Sequence, residues 1–516
     1  MSTKPLVAFD ANVRLGRLAN SRGPWFRGAD ELLAALDELG VDRALVYGAL
    51  AKESDVLRGN ALLQEQIQGQ ARLIPCWVGI PNREPCRDLI ARMREHSIPA
   101  LRLFPQTSHF SIRPWCCEAL AKALSEEGKV LMVDFDGPGW SNDGIDWEGI
   151  QQLCLAVPEL KLVVCGVTMA SPPNYWAFIR QCPNLYLEIS EFVTPGEIKR
   201  SVEAGLGRQL IFGSNLPKRH IGAPLSMVGL ADLDAENQDL ILNGNLQRLL
   251  MLSEAEAPVV PIRKIPRFSD VVDTHVHLGG WNYSAAATGR PEDTVRDMDR
   301  CGIQSAIVTS LWAVHGEVPL GNADVAEATR AFPGRIYGYL TLDPKHPDEF
   351  REQIKRYRDD PGFRGVKLHC GTHGIRLNDP RCREILEFAN EKKIPLLIHE
   401  EFDLPEWKEL CLSHPEATFI VAHVGGGGPD HAPAREIARL SRTVDNLYFD
   451  LAATRNFYGF LEDLVELAGP EKILYGSDHP LMDFGFELGQ IFFSGIGETE
   501  KQMILSGNAR RIFKLN

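Results

Sequence analysis

Two histidines one residue apart, His275 and His277, stand in the run VVDTHVHLGG at 271–280. In a β-strand alternate side chains share a face, so the two imidazoles would lie one pleat apart and could grip a single ion. The pair alone decides nothing, because two ordinary histidines can also end a strand. Three more polar groups follow apolar runs in the same way: His399 in PLLIHE, His423 in TFIVAHVGGGG and Asp478 in ILYGSDHP. A bulky polar side chain has little reason to follow such a run unless the run ends in an open mouth. Four imidazoles and a carboxylate brought to one point describe a catalytic divalent-metal site, with zinc the expected ion. Lys367 and His369 close a further run, GVKLH, and share a face by the same alternation.

The elements that would bring these residues together are legible between 269 and 516. Eight short apolar runs begin near 271, 305, 335, 365, 395, 418, 447 and 473. Between them lie segments such as PRCREILEFANEKK, whose apolar residues recur at helical spacing. Eight strand–helix units in about 250 residues predict an α/β fold, a TIM-like (β/α)8 barrel, whose functional groups gather at the carboxyl ends of the strands.

The first half carries its own eight runs, beginning near 6, 43, 72, 100, 129, 161, 185 and 209. The register between the halves hardly drifts. Asn12 and His275 are 263 positions apart, Asp134 and His399 265, Asn215 and Asp478 263, and Asn245 and Asn508 in the closing helices 263. The chain is therefore read as two tandem barrels, residues 1–252 and 269–516, joined by a proline-bearing linker at 253–268. The first copy keeps the frame and loses the chemistry. Asn12 stands for His275, Arg14 for His277, Arg102 for Lys367, Phe104 for His369, Asp134 for His399, Gly166 for His423 and Asn215 for Asp478. A barrel kept for packing and not for metal binding would look like this. Asp10, Asp134 and Asp136 could form an oxygen-ligand site, but Arg14 is expected to neutralise them.

A formal charge of −14 over 516 residues, with 44% hydrophobic and 24% charged residues, fits a globular chain and gives no general attraction to nucleic acid or anionic membrane. The start MSTKPLVAFD lacks the basic and apolar segments of a signal peptide, and no apolar run reaches the length of a membrane span. With 11 cysteines showing no paired metal spacing, reduced thiols and a cytoplasmic location are expected.

Taken together and in order, DTHVHLGG, GVKLHCG, LLIHEE, IVAHVGGG, LYFDLA and YGSDHP resemble the amidohydrolase superfamily, in the branch that includes aminocarboxymuconate-semialdehyde decarboxylase. The resemblance spans 270–516; the first half shares only the frame. It implies that His275, His277, His399 and Asp478 ligate one ion, most simply one Zn2+ per chain, with His423 beside the metal-bound water as acid or base. Asp478 would also accept that water's proton. In some superfamily members a strand-four lysine is carbamylated and bridges two metals; for Lys367, pairing with substrate carboxylate or with Asp478 is expected instead. His369, Trp281 and Arg455 are weaker candidates for contacting substrate. The leading expectation is a metal-dependent hydrolase of a C–N or C–O bond in an amide, cyclic amide or lactone. The alternatives are a non-oxidative decarboxylase of an aromatic or unsaturated carboxylic acid, and a binding or assembly subunit.

The expected partner is a small-molecule substrate. Because members of this branch commonly pair as homodimers, the fused copy is expected to pack against the active barrel in place of a second subunit, with a further homo-oligomer left open. Residues 268–516 expressed alone should then be poorly soluble or destabilised, which a melting curve of the fragment against the full chain would read.

Overall fold

The computed structural model describes residues 6–19, 23–136, 143–252, 260–282, 289–399, 403–425, 432–454 and 456–515. It divides into two compact units, one ending at Ile265 and the other beginning at Pro266. Residues 260–262 belong to the first unit: Val260 N donates to Asp42 Oδ1 (2.8 Å) and Ile262 N to Leu6 O (2.9 Å).

Each unit is an eight-stranded parallel sheet with its strands in chain order. The first comprises β1 (Phe9–Leu15), β2 (Arg43–Gly48), β3 (Leu73–Gly79), β4 (Ala100–Leu103), β5 (Val130–Asp134), β6 (Lys161–Cys165), β7 (Leu185–Glu188) and β8 (Leu210–Ile211). The second comprises β9 (Val272–Leu278), β10 (Ser305–Ser310), β11 (Ile336–Thr341), β12 (Phe363–His369), β13 (Pro395–His399), β14 (Thr418–Val421), β15 (Leu447–Asp450) and β16 (Ile473–Leu474). The segment after each last strand returns to the first strand. Ala11 N donates to Phe212 O and Arg14 N to Leu216 O; Thr274 N donates to Tyr475 O and His277 N to His479 O. The architecture is two tandem TIM-like barrels.

Parallel strands covered on both faces read as continuous apolar runs, as these do. Alternate residues still point inward and fill the barrel axis. Leu45 and Tyr47, Ile74, Cys76 and Val78, Val130 and Met132, Val163 and Cys165 form one buried cluster in the first unit. Leu246 and Leu249 of the closing helix plug its floor, as Ala509, Ile512 and Phe513 do in the second unit. The closing helices repeat in detail. Each contains one wide turn, Leu240–Gly244 and Met503–Gly507. Each then places an asparagine that donates to the end of the last strand, Asn245 to Leu210 O and Asn508 to Ile473 O, both at 2.8 Å.

The outer helices follow ordinary rules. Pro291–Cys301 has proline and acidic residues in its first turn, buries Val295 and Met298, and stops at Gly302 with φ 78°. No helix among the described residues is long and apolar enough to cross a membrane, and all 11 cysteines are free thiols.

One irregularity matters for the site. Between Asp10 and Val13 strand β1 advances three residues while β2 advances two, and β9 does the same against β10 between Asp273 and Val276. This bulge inserts one residue just before the mouth and re-aims the side chains beyond it. His275 and His277, and Asn12 and Arg14, come directly at or after it.

Candidate metal centre

The second barrel gathers the residues its sequence singled out. Asp478 Oδ1 lies 2.9 Å from His277 Nε2, 3.6 Å from His275 Nε2 and 3.8 Å from His423 Nε2. Potential ligand atoms of His275, His423 and Asp478 all fall within 4.8 Å of one another. His399 joins by ring contact, 4.6 Å from the His423 centroid and 4.1 Å from that of His369. Donors about 2 Å from a common ion sit roughly 3 to 4 Å apart, which is the spacing here.

Protonation favours a cation as well. Burial, reinforced by Lys367 and neighbouring imidazoles, drives His275 well below its ordinary pKa. Burial and the surrounding imidazoles do the same to His423 and His369, and burial with Lys367 brings His399 to about 3. Neutral imidazoles are the form that ligates a metal. His423 Nε2 is buried with no hydrogen-bond partner among the described residues, an unmet acceptor aimed at the same point. The donor set fits a divalent ion.

Two carboxylates that the sequence reading passed over hold this set in place. Asp450, at the end of β15, accepts from His275 Nδ1 (2.8 Å) and from the His423 backbone N (2.7 Å). The first bond fixes the tautomer of His275 and leaves the Nε2 lone pair facing the centre. The second steadies a turn in which His423 has φ 57° and Val424 φ 49°, left-handed values uncommon for such residues. Asp273 accepts from the backbone N of His275 (3.0 Å) and of Ser477 (3.2 Å), tying the first strand to the loop that carries Asp478. Burial raises Asp450 to about 6 and Asp273 to about 7. Replacing Asp450 by Asn should weaken divalent-metal affinity by about 10- to 100-fold with little change in fold. Metal titration followed by circular dichroism would check both halves of that statement.

The weaker candidates separate. Lys367 is fully buried and its Nζ lies 3.2 Å from His275 Nε2. Burial lowers it to about 8, against the pull of Asp450 and Asp478. His369 Nδ1 accepts from Thr372 N (3.3 Å), capping the short helix Cys370–His373, so its ring faces His399 from the rim. Trp281 is half-buried with its ring 5.5 Å from that of His315. Arg455, and Gly426–Gly428 of the glycine run, lie outside the described residues.

The first barrel keeps the scaffolding without the ligands. Glu188 occupies the place of Asp450 and accepts from Asn12 Nδ2 (2.9 Å) and Ser190 N (2.7 Å). Asp10 occupies the place of Asp273 and accepts from the backbone N of Asn12 and of Ser214, both at 2.9 Å. Gly166 has φ 81° where His423 has φ 57°, and Asn215 φ 57° where Asp478 has φ 67°. The carboxylates foreseen as an oxygen-ligand site are occupied. Asp134 pairs with Arg102, and Asp136 with Lys52 and Thr107. Burial opposes charge on Asp134, but Arg102 and Lys52 outweigh it and hold its pKa below the usual value. The expectation that Arg14 neutralises these acids is corrected: Arg102 pairs with Asp134 from β4 and Lys52 with Asp136 from the helix after β2, while Asp10 is met by Asn12 and Ser214.

Burial raises Glu188 from 4.5 to about 7. Its protonated form is therefore favoured by the fold, and that stabilisation is present below about 4.5 and lost as pH rises through about 7. The melting temperature of the full chain should fall across this window. Glu188→Gln, which stays neutral, should flatten the fall; an unchanged pH profile in that variant would remove Glu188 as its source.

The amidohydrolase family model matches residues 272–515, the whole of this barrel. The second barrel is similar to that family along its whole length. Gamma-resorcylate decarboxylase of Rhizobium sp. (strain MTP-10005) is 23% identical over 247 residues, covering 38% of this chain and 75% of the relative. The enzyme of the same name from Rhizobium radiobacter matches at the same identity and coverage. A crystal structure of 2,6-dihydroxybenzoate decarboxylase with 2,6-dihydroxybenzoate aligns at 18% identity and a TM-score of 0.40, covering 48% of this chain and all of that one. The expectation of a hydrolase of amides or lactones is overturned by the curated relatives, which are decarboxylases. The error has a physical source. The amidohydrolase ligand set reports that an ion is held, and the same set serves water attack and C–C cleavage alike.

Proposed function

We propose that the amidohydrolase barrel catalyses non-oxidative decarboxylation of a hydroxylated aromatic carboxylic acid. The observation that carries this reading is the buried Asp478 carboxylate, with three imidazole nitrogens within 3.8 Å of one oxygen, in a barrel whose curated relatives decarboxylate gamma-resorcylate. Such a reaction needs a proton placed on carbon, and it consumes no water. His275, His277, His399 and Asp478 would hold one divalent ion, for which zinc and manganese both suit imidazole and carboxylate donors. When bound, that ion supplies a positive anchor for the substrate's carboxylate and neighbouring hydroxyl oxygens.

The chain's own residues do the rest. Asp478 passes a proton to the ring carbon that bears the carboxylate. The bond to that carboxylate then breaks, its electron pair returns to the ring, and carbon dioxide leaves. The proton consumed comes from solvent and is relayed to Asp478 through the neutral His423 imidazole, whose Nε2 lies 3.8 Å from Asp478 Oδ1. Lys367 keeps positive charge beside His275, and Asp450 holds that ring in register.

The test is a substrate panel with the full chain. 2,6-Dihydroxybenzoate and related hydroxybenzoates should release carbon dioxide, read by a coupled assay and by the decarboxylated phenol. Turnover of none of them, with the metal site filled, would sink the proposal. Metal analysis should give one ion per chain, and simultaneous His275→Ala and His277→Ala changes should abolish it and not halve it.

A further inference from the structure

At the mouth of the first barrel, among the described residues, most basic side chains are paired with carboxylates and Arg14 is not. Arg102 is committed to Asp134 and Asn12, Lys52 to Asp136, and Arg219 Nε to Glu191 at 2.7 Å. The deeper acids Asp10 and Glu188 are met by the neutral donors Ser214, Asn12 and Ser190. Arg14 is left over. It is 3% exposed, and its Nε and Nη2 are buried with no hydrogen-bond partner among the described residues. A buried donor left unmet costs at least what its bond would contribute, so two on one guanidinium call for an acceptor.

Arg14 takes the position of His277 on the inward face of its strand. Its backbone N donates to Leu216 O at 2.9 Å, beside the loop that carries Lys218. Lys218 Nζ meets a single acceptor among the described residues, the backbone oxygen of Asp136 at 2.9 Å. Burial, and then Arg219, bring its pKa down to about 8, so it too gains from an anion. Both groups stand at the carboxyl ends of the strands, where barrels of this kind receive ligands. Nε and Nη2 form the guanidinium edge whose two N–H bonds run side by side, matching the two oxygens of a carboxylate. A divalent cation is the wrong occupant, because the oxygen donors already hold Arg102, Lys52 and Arg219.

We propose that the mouth of the first barrel binds a small-molecule carboxylate, gripped edge-on by Arg14 with Lys218 alongside. The site is separate from the metal centre and involves no reaction.

Benzoate is the probe, with inorganic phosphate as the competing oxyanion, titrated calorimetrically into the full chain carrying His275→Ala and His277→Ala. One benzoate per chain should bind. Adding Arg14→Met should weaken binding at least tenfold, and Lys218→Met should weaken it several-fold. In the absence of benzoate, Arg14→Met should hold or raise the melting temperature, since it removes an unmet buried charge, and benzoate should raise the melting temperature only where Arg14 is present. The proposal is overturned by absence of benzoate binding, by phosphate binding in its stead, by equal affinity in Arg14→Met, or by a lower melting temperature in that variant without ligand.

Discussion

Asp478→Asn should lower turnover of 2,6-dihydroxybenzoate by about 10³-fold or more, the scale of losing a positioned acid together with a ligand charge. The substitution keeps the size of the side chain and one of its oxygens, and removes both the negative charge and the transferable proton. It should leave the fold untouched, because the first barrel already carries Asn215 in the same left-handed backbone, φ 57° against 67°. Carbon dioxide release, metal content and melting temperature measured on one preparation separate the effects. Metal content should fall, melting temperature should hold, and turnover should vanish. Undiminished activity would remove Asp478 from the reaction.

His423→Gly is the second large effect expected, a fall in kcat of about 10²- to 10⁴-fold with the metal retained. Glycine is a better choice here than alanine. The position has φ 57°, and Gly166 fills its counterpart at φ 81°, so the change removes the imidazole and relieves about 1 kcal/mol of backbone cost instead of adding strain. Imidazole added to the buffer should restore part of the activity if the ring acts as a proton carrier. Loss of the ion in this variant would make His423 a ligand and redraw the assignment.

Much of this was legible in the chain because barrels write themselves in apolar runs. Fourteen runs begin within one residue of the observed strand starts; the exceptions are the first, where the strand starts at Phe9, and the fourth of the second barrel, where it starts at Phe363. The site residues announced themselves by following those runs. Asp450 escaped because it is itself the last residue of its strand, with apolar residues on both sides of it in LYFDLA. The two copies held the missing signal: LYFD and LYLE both close on an acid, Asp450 and Glu188, although every histidine around them changed. The bulge in β1 and β9 could not be read, since one inserted residue leaves no mark on a period of two. The reaction could not be read either, because an ion's ligands do not encode the bond that breaks.

The left-handed turn at His423 has a consequence for how such barrels can change over time. With an imidazole there, the chain stores backbone energy that only the function offsets; with glycine it does not. A step from histidine to glycine is therefore favoured by stability, and the return step is opposed by it. Gly166 sits on the low side of that ratchet. A first barrel carrying Gly166→His would have to regain its other ligands before the strain served any purpose, so conformational energy holds glycine at that position.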